Sequence, residues 1–320
     1  MIVNLVSGGI DSTVMQYMYP GHTPVFVDYG QPYAAAEEAT CRGLFDKRLV
    51  KIVAKRKERL SNNIFVPARN LMLAAVVTAQ LAPDEIWMAG LRDDKVVDKT
   101  PEAFARMSEV ISSVAGKQVK VHSPFWSLSK GEIVEAYLAE GHDAEVLRRQ
   151  TFSCYRRVHF GTNCLDCPAC FRKFVALVTN GIEMQPLCRR ICDEYLGKLH
   201  LYDKDRQARI IIAMKCIYAR IIAVDLDGVL AEPDRMALSE IRNIKQSMVK
   251  RKVIDTGKQR VNAQYRNGAA ILIFTSRLES DRDITKAWLL SNGIEHHGLI
   301  MGKPRYDLFV DDNAISGFAK

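Results

Sequence analysis

Three groups of residues in this 320-residue chain have the types and spacing to do chemistry. Ser7, Gly8, Gly9, Ile10, Asp11, Ser12 and Thr13 follow the short apolar run 2–6 and open a helical pattern. A glycine pair between a strand and a helix offers backbone N–H groups and a helix N-terminus to anionic oxygens. Glycine also tolerates positive φ and lets the chain approach a phosphate closely. Ser7 and Ser12 add hydroxyl donors, and Asp11 suits either holding Mg²⁺ or orienting the loop. A bare Gly-Gly turn is mostly structural, but the whole string directly after an N-terminal strand points to a pyrophosphate-bearing ligand. Second, Cys154, Cys164, Cys167 and Cys170 form a C-x9-C-x2-C-x2-C array. Four thiols so spaced close a tetrahedral zinc site, whose full coordination makes it structural rather than catalytic. An iron–sulfur cluster is the alternative, and His159 inside the array could ligate but reads as a surface or loop histidine. Third, Asp225 and Asp227 end a buried apolar run in VDLDG. Two carboxylates two residues apart suit a nucleophile and a general acid/base, with Mg²⁺ holding a phosphate. Calcium loops and plain turns share that short pattern.

The elements that must position these residues alternate. Residues 2–6, 24–28, 49–53, 85–89 and 119–123 read as strands, and 70–82 and 101–114 as helices, the second with Pro101 in its first turn. Strands separated by helices predict an α/β fold with a parallel sheet covered on both faces. The pattern restarts at 219–228, 269–277 and 306–312, three strands that end in polar residues, so a second, small Rossmann-like unit is expected. The predicted organisation is a first domain over 1–192, a helical linker over 193–218 and a second domain over 219–320.

The bulk numbers bound the partners. Hydrophobic residues make up 48% and charged residues 26%, which suits soluble domains with their own cores. No apolar run is long enough to cross a bilayer and no signal peptide is read at the start, so a cytoplasmic protein without a membrane partner is expected. The net charge of +8 favours anionic ligands, or is simply a solvated basic surface. In such a compartment the eight cysteines are not a disulfide framework. Cys41, Cys188, Cys192 and Cys216 read as ordinary thiols.

SGGIDS resembles the signature of the PP-loop ATP pyrophosphatases, which split ATP into AMP and pyrophosphate while adenylating an oxygen of the substrate. Within that group, VDYGQPYAAAEEA (27–39), FVPARN (65–70), DKVVDKTPEAF (94–104) and the cysteine array are similar to segments of the 7-cyano-7-deazaguanine synthases of queuosine biosynthesis, in order from Ser7 to Lys173. The resemblance implies an adenine-nucleotide alpha-hydrolase-like sheet with a four-cysteine zinc motif. It implies a ligase that uses ATP and ammonia to turn a 7-carboxy-7-deazaguanine-like small molecule into the nitrile, through an acyl adenylate and then an amide. It makes Arg69 a candidate for neutralising phosphate and Asp98 for pairing with the guanine-like edge, although an arginine before a helix also serves as a cap or in an ion pair. Departures are Ala68 and Leu165 where the family has Gly, Lys173 where it has Arg, and PYAAAEEA in place of an Arg-His segment.

Residues 219–320 resemble the haloacid-dehalogenase-like phosphatases. Residue by residue, that implies Asp225 as the nucleophile and Asp227 as the acid/base. Thr275 and Lys303 become the phosphate-oxygen binders, while Asp311 and Asp312, with Asp225 and Asp227, hold Mg²⁺ against a phosphate ester. A homodimer is a further expectation. Two other readings are open: a PP-loop enzyme that adenylates tRNA or a protein end, and a regulator that binds nucleotide without turnover.

Overall fold

The structure is a computed structural model that describes residues 1–54, 66–94, 96–154, 156, 163–232 and 251–304. The chain divides into two compact units, Met1–Gln185 and Pro186–Lys320. Each is built on its own parallel sheet.

In the first unit, strands β1 (Ile2–Leu5), β2 (Thr23–Asp28), β3 (Val50–Val53), β4 (Glu85–Trp87) and β5 (Lys120–His122) pair in the order β3-β2-β1-β4-β5, all in parallel. The five expected strands are all present, with ends moved by one or two residues. Alternation along β2 shows why the sheet is covered twice. Val25 and Val27 pack with Val3, Ile52, Val77, Ile86 and Phe104, while Phe26 between them joins Val6, Cys41 and Phe45. A further cluster, with Ile10, Val14, Phe125, Ile133, Tyr137 and Leu177, gathers the helices α1 (Ile10–Met18), α5 (Lys130–Ala139) and α6 (Pro168–Val178). Each such fully buried side chain contributes about 1.5–3 kcal/mol from removal of apolar surface from water. The other helices are α2 (Ala34–Phe45), α3 (Arg69–Leu81) and α4 (Pro101–Ala115).

Helix starts in this unit are set by local chemistry. Thr100 caps α4 by accepting from the Ala103 N–H at 3.1 Å, ahead of Pro101. Ser129 and Glu132 form a reciprocal capping box at α5, which makes Lys130 the first helical residue. The strand order reverses between β1 and β4. In sheets of this kind ligands bind beyond the carboxyl ends of the strands at that reversal, which here means the loops after Leu5 and after Trp87.

The second unit runs α7 (Arg189–Gly197), α8 (Lys204–Met214), β6 (Ile221–Val224), α9 (Asp255–Arg266), β7 (Ala270–Phe274), α10 (Arg282–Ser291) and β8 (Gly298–Ile300). Its sheet has the order β6-β7-β8, again parallel, over a core of Val224, Leu226, Val261, Ile271, Ile273, Trp288 and Leu289. The stretch 193–218, expected as a linker, is mostly helical and packs inside this unit. A Cβ at Gly298 would sit 2.6 Å from the Leu196 carbonyl oxygen, so α7 lies against β8 at a distance that admits only glycine. Asp193 of α7 accepts from the Tyr218 hydroxyl and faces His297 Nε2 at 3.3 Å, while His297 Nδ1 accepts from the Ile271 N–H at 3.0 Å. Strand β8 is three residues long and went unread in the sequence. The strand expected over 306–312 lies outside the described residues. No helix among the described residues is long and apolar enough to cross a membrane.

Candidate functional site

The loop after β1 carries Ser7, Gly8 and Gly9, and α1 begins at Ile10. Gly8 has φ +70°, and a Cβ there would lie 2.6 Å from Thr40 Cγ2 and 2.8 Å from Thr40 Cβ. Glycine is therefore required twice over, by the backbone conformation and by the close packing of α2. No side chain caps α1, so its first N–H groups are left for a ligand. The two serines brace the loop: Ser12 Oγ accepts from the Ser7 N–H at 3.2 Å and donates to the Gly9 carbonyl at 3.3 Å. Ser12 is buried, and Ile10 is buried in the core.

Above this loop opens a cavity of about 410 Å³ whose wall includes Ser7, Gly9, Ile10, Asp11, Arg69 and Asp98. Six of the eight first-unit residues expected to bind the nucleotide or substrate thus share one cavity, with Ser12 and Gly8 immediately behind it. The cavity is rich in cations, because Lys99, Lys130, Arg172 and Lys173 line it together with Arg69. Asp11 is paired with Lys130. Burial alone would raise the Asp11 carboxyl, but the Lys130 and Lys99 charges outweigh it and hold the group below the usual carboxylate range. Lys99 pairs with Asp94 at 2.6 Å. Asp98 accepts from the Asn70 N–H at 3.1 Å, so one carboxylate oxygen caps the start of α3. Arg69 lies beside Tyr29 and Asp98.

Sequence reasoning missed Lys99, Lys130, Arg172 and Glu37, which also lines the cavity. Lysines and arginines carry no local pattern that marks them as site residues, although the Ser129-x-x-Glu132 box placed Lys130 at a helix start. Glu37 stands on α2, and burial pushes its carboxyl up to about 7 against the opposing pull of the Gln31 hydrogen bond and Arg69. Lys173 was noted only as a departure from a pattern. It is 2% exposed and donates to the Thr151 carbonyl and hydroxyl, both at 2.7 Å, and to the Arg148 carbonyl at 3.3 Å.

The four cysteines converge. Their Sγ atoms all lie within 4.8 Å of one another, with Cys164 and Cys170 at 3.9 Å and Cys167 and Cys170 at 3.5 Å. A tetrahedron of sulfurs about 2.3 Å from one ion has edges of about 3.8 Å, so the donor set fits a single zinc. Backbone N–H groups of Cys164, Asp166 and Cys170 point at the sulfurs of Cys154, Cys164 and Cys167 at 3.4, 3.4 and 3.5 Å, which stabilises charge on thiolates. Leu165, in the turn between the second and third ligands, has φ +56°. Ala68, at the start of α3, has φ +53°. Both positions where the sequence departs from a family glycine therefore hold the left-handed conformation that glycine favours.

In the second unit the candidate residues also meet at strand ends. Asp225 directly follows β6 and Thr275 directly follows β7, the latter fully buried. Lys303 follows β8; its N–H donates to the Thr275 carbonyl at 2.9 Å and its Nζ lies 3.3 Å from Asp225 Oδ2. Asp227 is gripped by Arg277, with Nε at 2.9 Å and Nη2 at 2.5 Å, and also by Arg251. Neither arginine was anticipated. Asp311 and Asp312 lie outside the described residues.

Comparison with known proteins bears on the first unit. Residues 33–181 match the family model for queuosine biosynthesis protein QueC. A 7-cyano-7-deazaguanine synthase from Pseudomonas putida is 26% identical over 57% of this chain and 95% of its own length. One from Thiobacillus denitrificans is 29% identical over 52% of this chain and 88% of its own length. The N-terminal part of the chain is thus similar to the QueC family, over a stretch that takes in the array of four cysteines.

Proposed function

We propose that the first unit is an ATP-dependent ligase that adenylates the carboxylate of a 7-carboxy-7-deazaguanine and lets ammonia displace AMP, with a second activation carrying the amide to the nitrile. The observation that supports this most is the cavity at the strand-order reversal, where an uncapped helix start, a positive-φ glycine and five cationic side chains converge. A carboxylate does not accept an amine until its oxygen becomes a leaving group. The loop Ser7–Ser12 supplies N–H and hydroxyl donors to the pyrophosphate that must depart, and Lys99, Lys130 and Arg69 neutralise charge as it builds. Asp98 offers a carboxylate to the amino edge of the base. ATP and Mg²⁺ are the expected companions of this loop, with Asp11 the candidate carboxylate for the metal. The four cysteines hold zinc as a structural clamp between the loop after Phe152 and α6.

For the second unit we propose a Mg²⁺-dependent phosphatase that works through an aspartyl phosphate. Asp225 is the nucleophile, and Thr275 and Lys303 grip phosphate oxygens. Asp225, with Asp311 and Asp312, would hold the metal, which neutralises the incoming phosphate. Asp227 is the acid/base, and Arg277 and Arg251 hold its carboxylate. The decisive experiment follows pyrophosphate and AMP from ATP, the deazaguanine acid and ammonium. Asp11→Ala or Ser12→Ala should abolish both, and transfer of the γ-phosphoryl group to the acid without AMP would overturn the adenylation reading.

A further inference from the structure

Resting on the ligase reading of the first unit, we infer that Glu37 is the general base that takes the proton from the attacking nitrogen. Four acids line the cavity: Asp11, Glu37, Asp94 and Asp98. Three are committed. Asp11 is paired with Lys130, Asp94 with Lys99, and Asp98 accepts from the N–H at the start of α3. Each of these three carboxylates already engages a cation or a backbone N–H. Glu37 is held differently. Its Oε2 accepts from Gln31 Nε2 at 2.8 Å, and the Gln31 amide is fixed in that sense because its Oε1 accepts from the Tyr29 N–H at 3.0 Å. Among the described residues no hydrogen bond uses Glu37 Oε1.

The groups facing Glu37 set its proton affinity. Burial raises it most, to about 7, while Gln31 and Arg69 lower it and Asp28 at the end of β2 raises it. Tyr29 and Cys41 also feel its charge. A base with that affinity is matched to neutral solution, where it is half available and still strong enough to accept. Lys173 is the rival, with its ammonium pushed down to about 8 by burial. Its Nζ, however, donates to three oxygens, an arrangement that uses the protonated amine as donor and leaves no lone pair for the nucleophile.

The step balances without another reactant. The nitrogen lone pair forms the C–N bond at the acyl carbon of the adenylate, and one N–H proton passes to Glu37. The bond from that carbon to the AMP oxygen then breaks, its electron pair leaving on AMP. Glu37 later releases the proton to solvent. Formation of the adenylate itself needs no base, since the attacking carboxylate carries no proton.

That division gives the test. With the full-length protein, pyrophosphate released from ATP and the deazaguanine acid without ammonium reports adenylation, and amide formed on adding ammonium reports the later step. Glu37→Gln should leave the first burst within about threefold and slow the second about 10²-fold. The acid limb of amide formation near pH 7 should disappear, and Glu37→Asp should recover part of the rate. Equal loss of both steps would show Glu37 only positioning Arg69 and would overturn the assignment, as would amide formation at the wild-type rate in Glu37→Gln. If the wild-type protein releases no pyrophosphate with the acid, the ligase reading falls, and the base with it.

Discussion

Gly8→Ala is the single methyl group that most directly tests how the nucleotide loop is built. At φ +70° an alanine is strained by about 1–2 kcal/mol. The new Cβ would lie 2.6 Å from Thr40 Cγ2 and 2.8 Å from Thr40 Cβ. Thr40 cannot swing aside freely, because its hydroxyl donates to the Ala36 carbonyl at 2.8 Å. Forcing α2 outward adds a further overpacking cost of about 1–3 kcal/mol. The expected loss is therefore about 2–5 kcal/mol, a large share of a domain stability of about 5–15 kcal/mol. Because α2 carries Glu37, the same shift should widen the cavity and weaken ATP binding. The control sits three residues beyond Thr40. Gly43 is exposed within α2, and a methyl added there would meet nothing within 4 Å, so Gly43→Ala should stabilise by up to about 1 kcal/mol. Urea unfolding of both variants, with and without ATP, measures the difference. A Gly8→Ala protein within about 1 kcal/mol of wild type that still gains stability from ATP would refute this account of the loop.

Purified protein should carry close to one zinc per chain by elemental analysis, and Cys167→Ser should lose it and unfold the first unit, because metal-binding free energy at a closed site is folding free energy. Ala68→Gly should raise stability by about 1 kcal/mol in thermal unfolding, since it relieves a left-handed alanine at the start of α3, net of the entropy glycine adds to the unfolded chain. His297 is held neutral in the fold, its imidazole pushed below the ordinary value first by burial, against the pull of Asp193. Its folded pKa lies below the unfolded one, so the unfolded chain binds more protons and the second unit should lose stability as pH falls below about 6.5. His297→Phe should flatten that slope while costing about 2–4 kcal/mol at pH 8, through the orphaned Ile271 N–H and the lost Asp193 contact. Asp225→Asn should eliminate Mg²⁺-dependent release of phosphate from an aryl phosphate, and persistence of that activity would remove Asp225 as nucleophile.

What the sequence disclosed follows from how local each signal is. The strands of the first sheet were legible because alternation and β-branched runs need no partner to be recognised, as Val25, Phe26 and Val27 show. The glycine loop was legible because its chemistry is written in consecutive residues. The cysteine array was legible because the spacing of its ligands is itself the constraint. Lys99, Lys130, Arg172 and Glu37 were not, because each reaches the cavity from a different element, and only the order β3-β2-β1-β4-β5 brings those elements to one rim. Strand β8 escaped for another reason: three residues are too few to show a period, and Gly298 is there for the approach of α7 rather than for strand propensity.

The two departures at glycine positions separate what the side chain dictates from what its surroundings do. Ala68 and Leu165 stand where the family pattern has glycine, and a substitution there would be expected to relax the backbone into an ordinary conformation. Instead Ala68 keeps φ +53° and Leu165 φ +56°, so the surroundings, not the side chain, set the backbone. At Leu165 the dictating element is the cysteine array, since Cys164 and Cys167 must turn their sulfurs toward Cys170 across that turn. At Ala68 it is the entry to α3, where Arg69 must face the cavity while the Asn70 N–H meets Asp98. The left-handed backbone at the start of α3 and at the turn between the second and third cysteines is thus set by what packs around each position, at the cost that glycine would have removed.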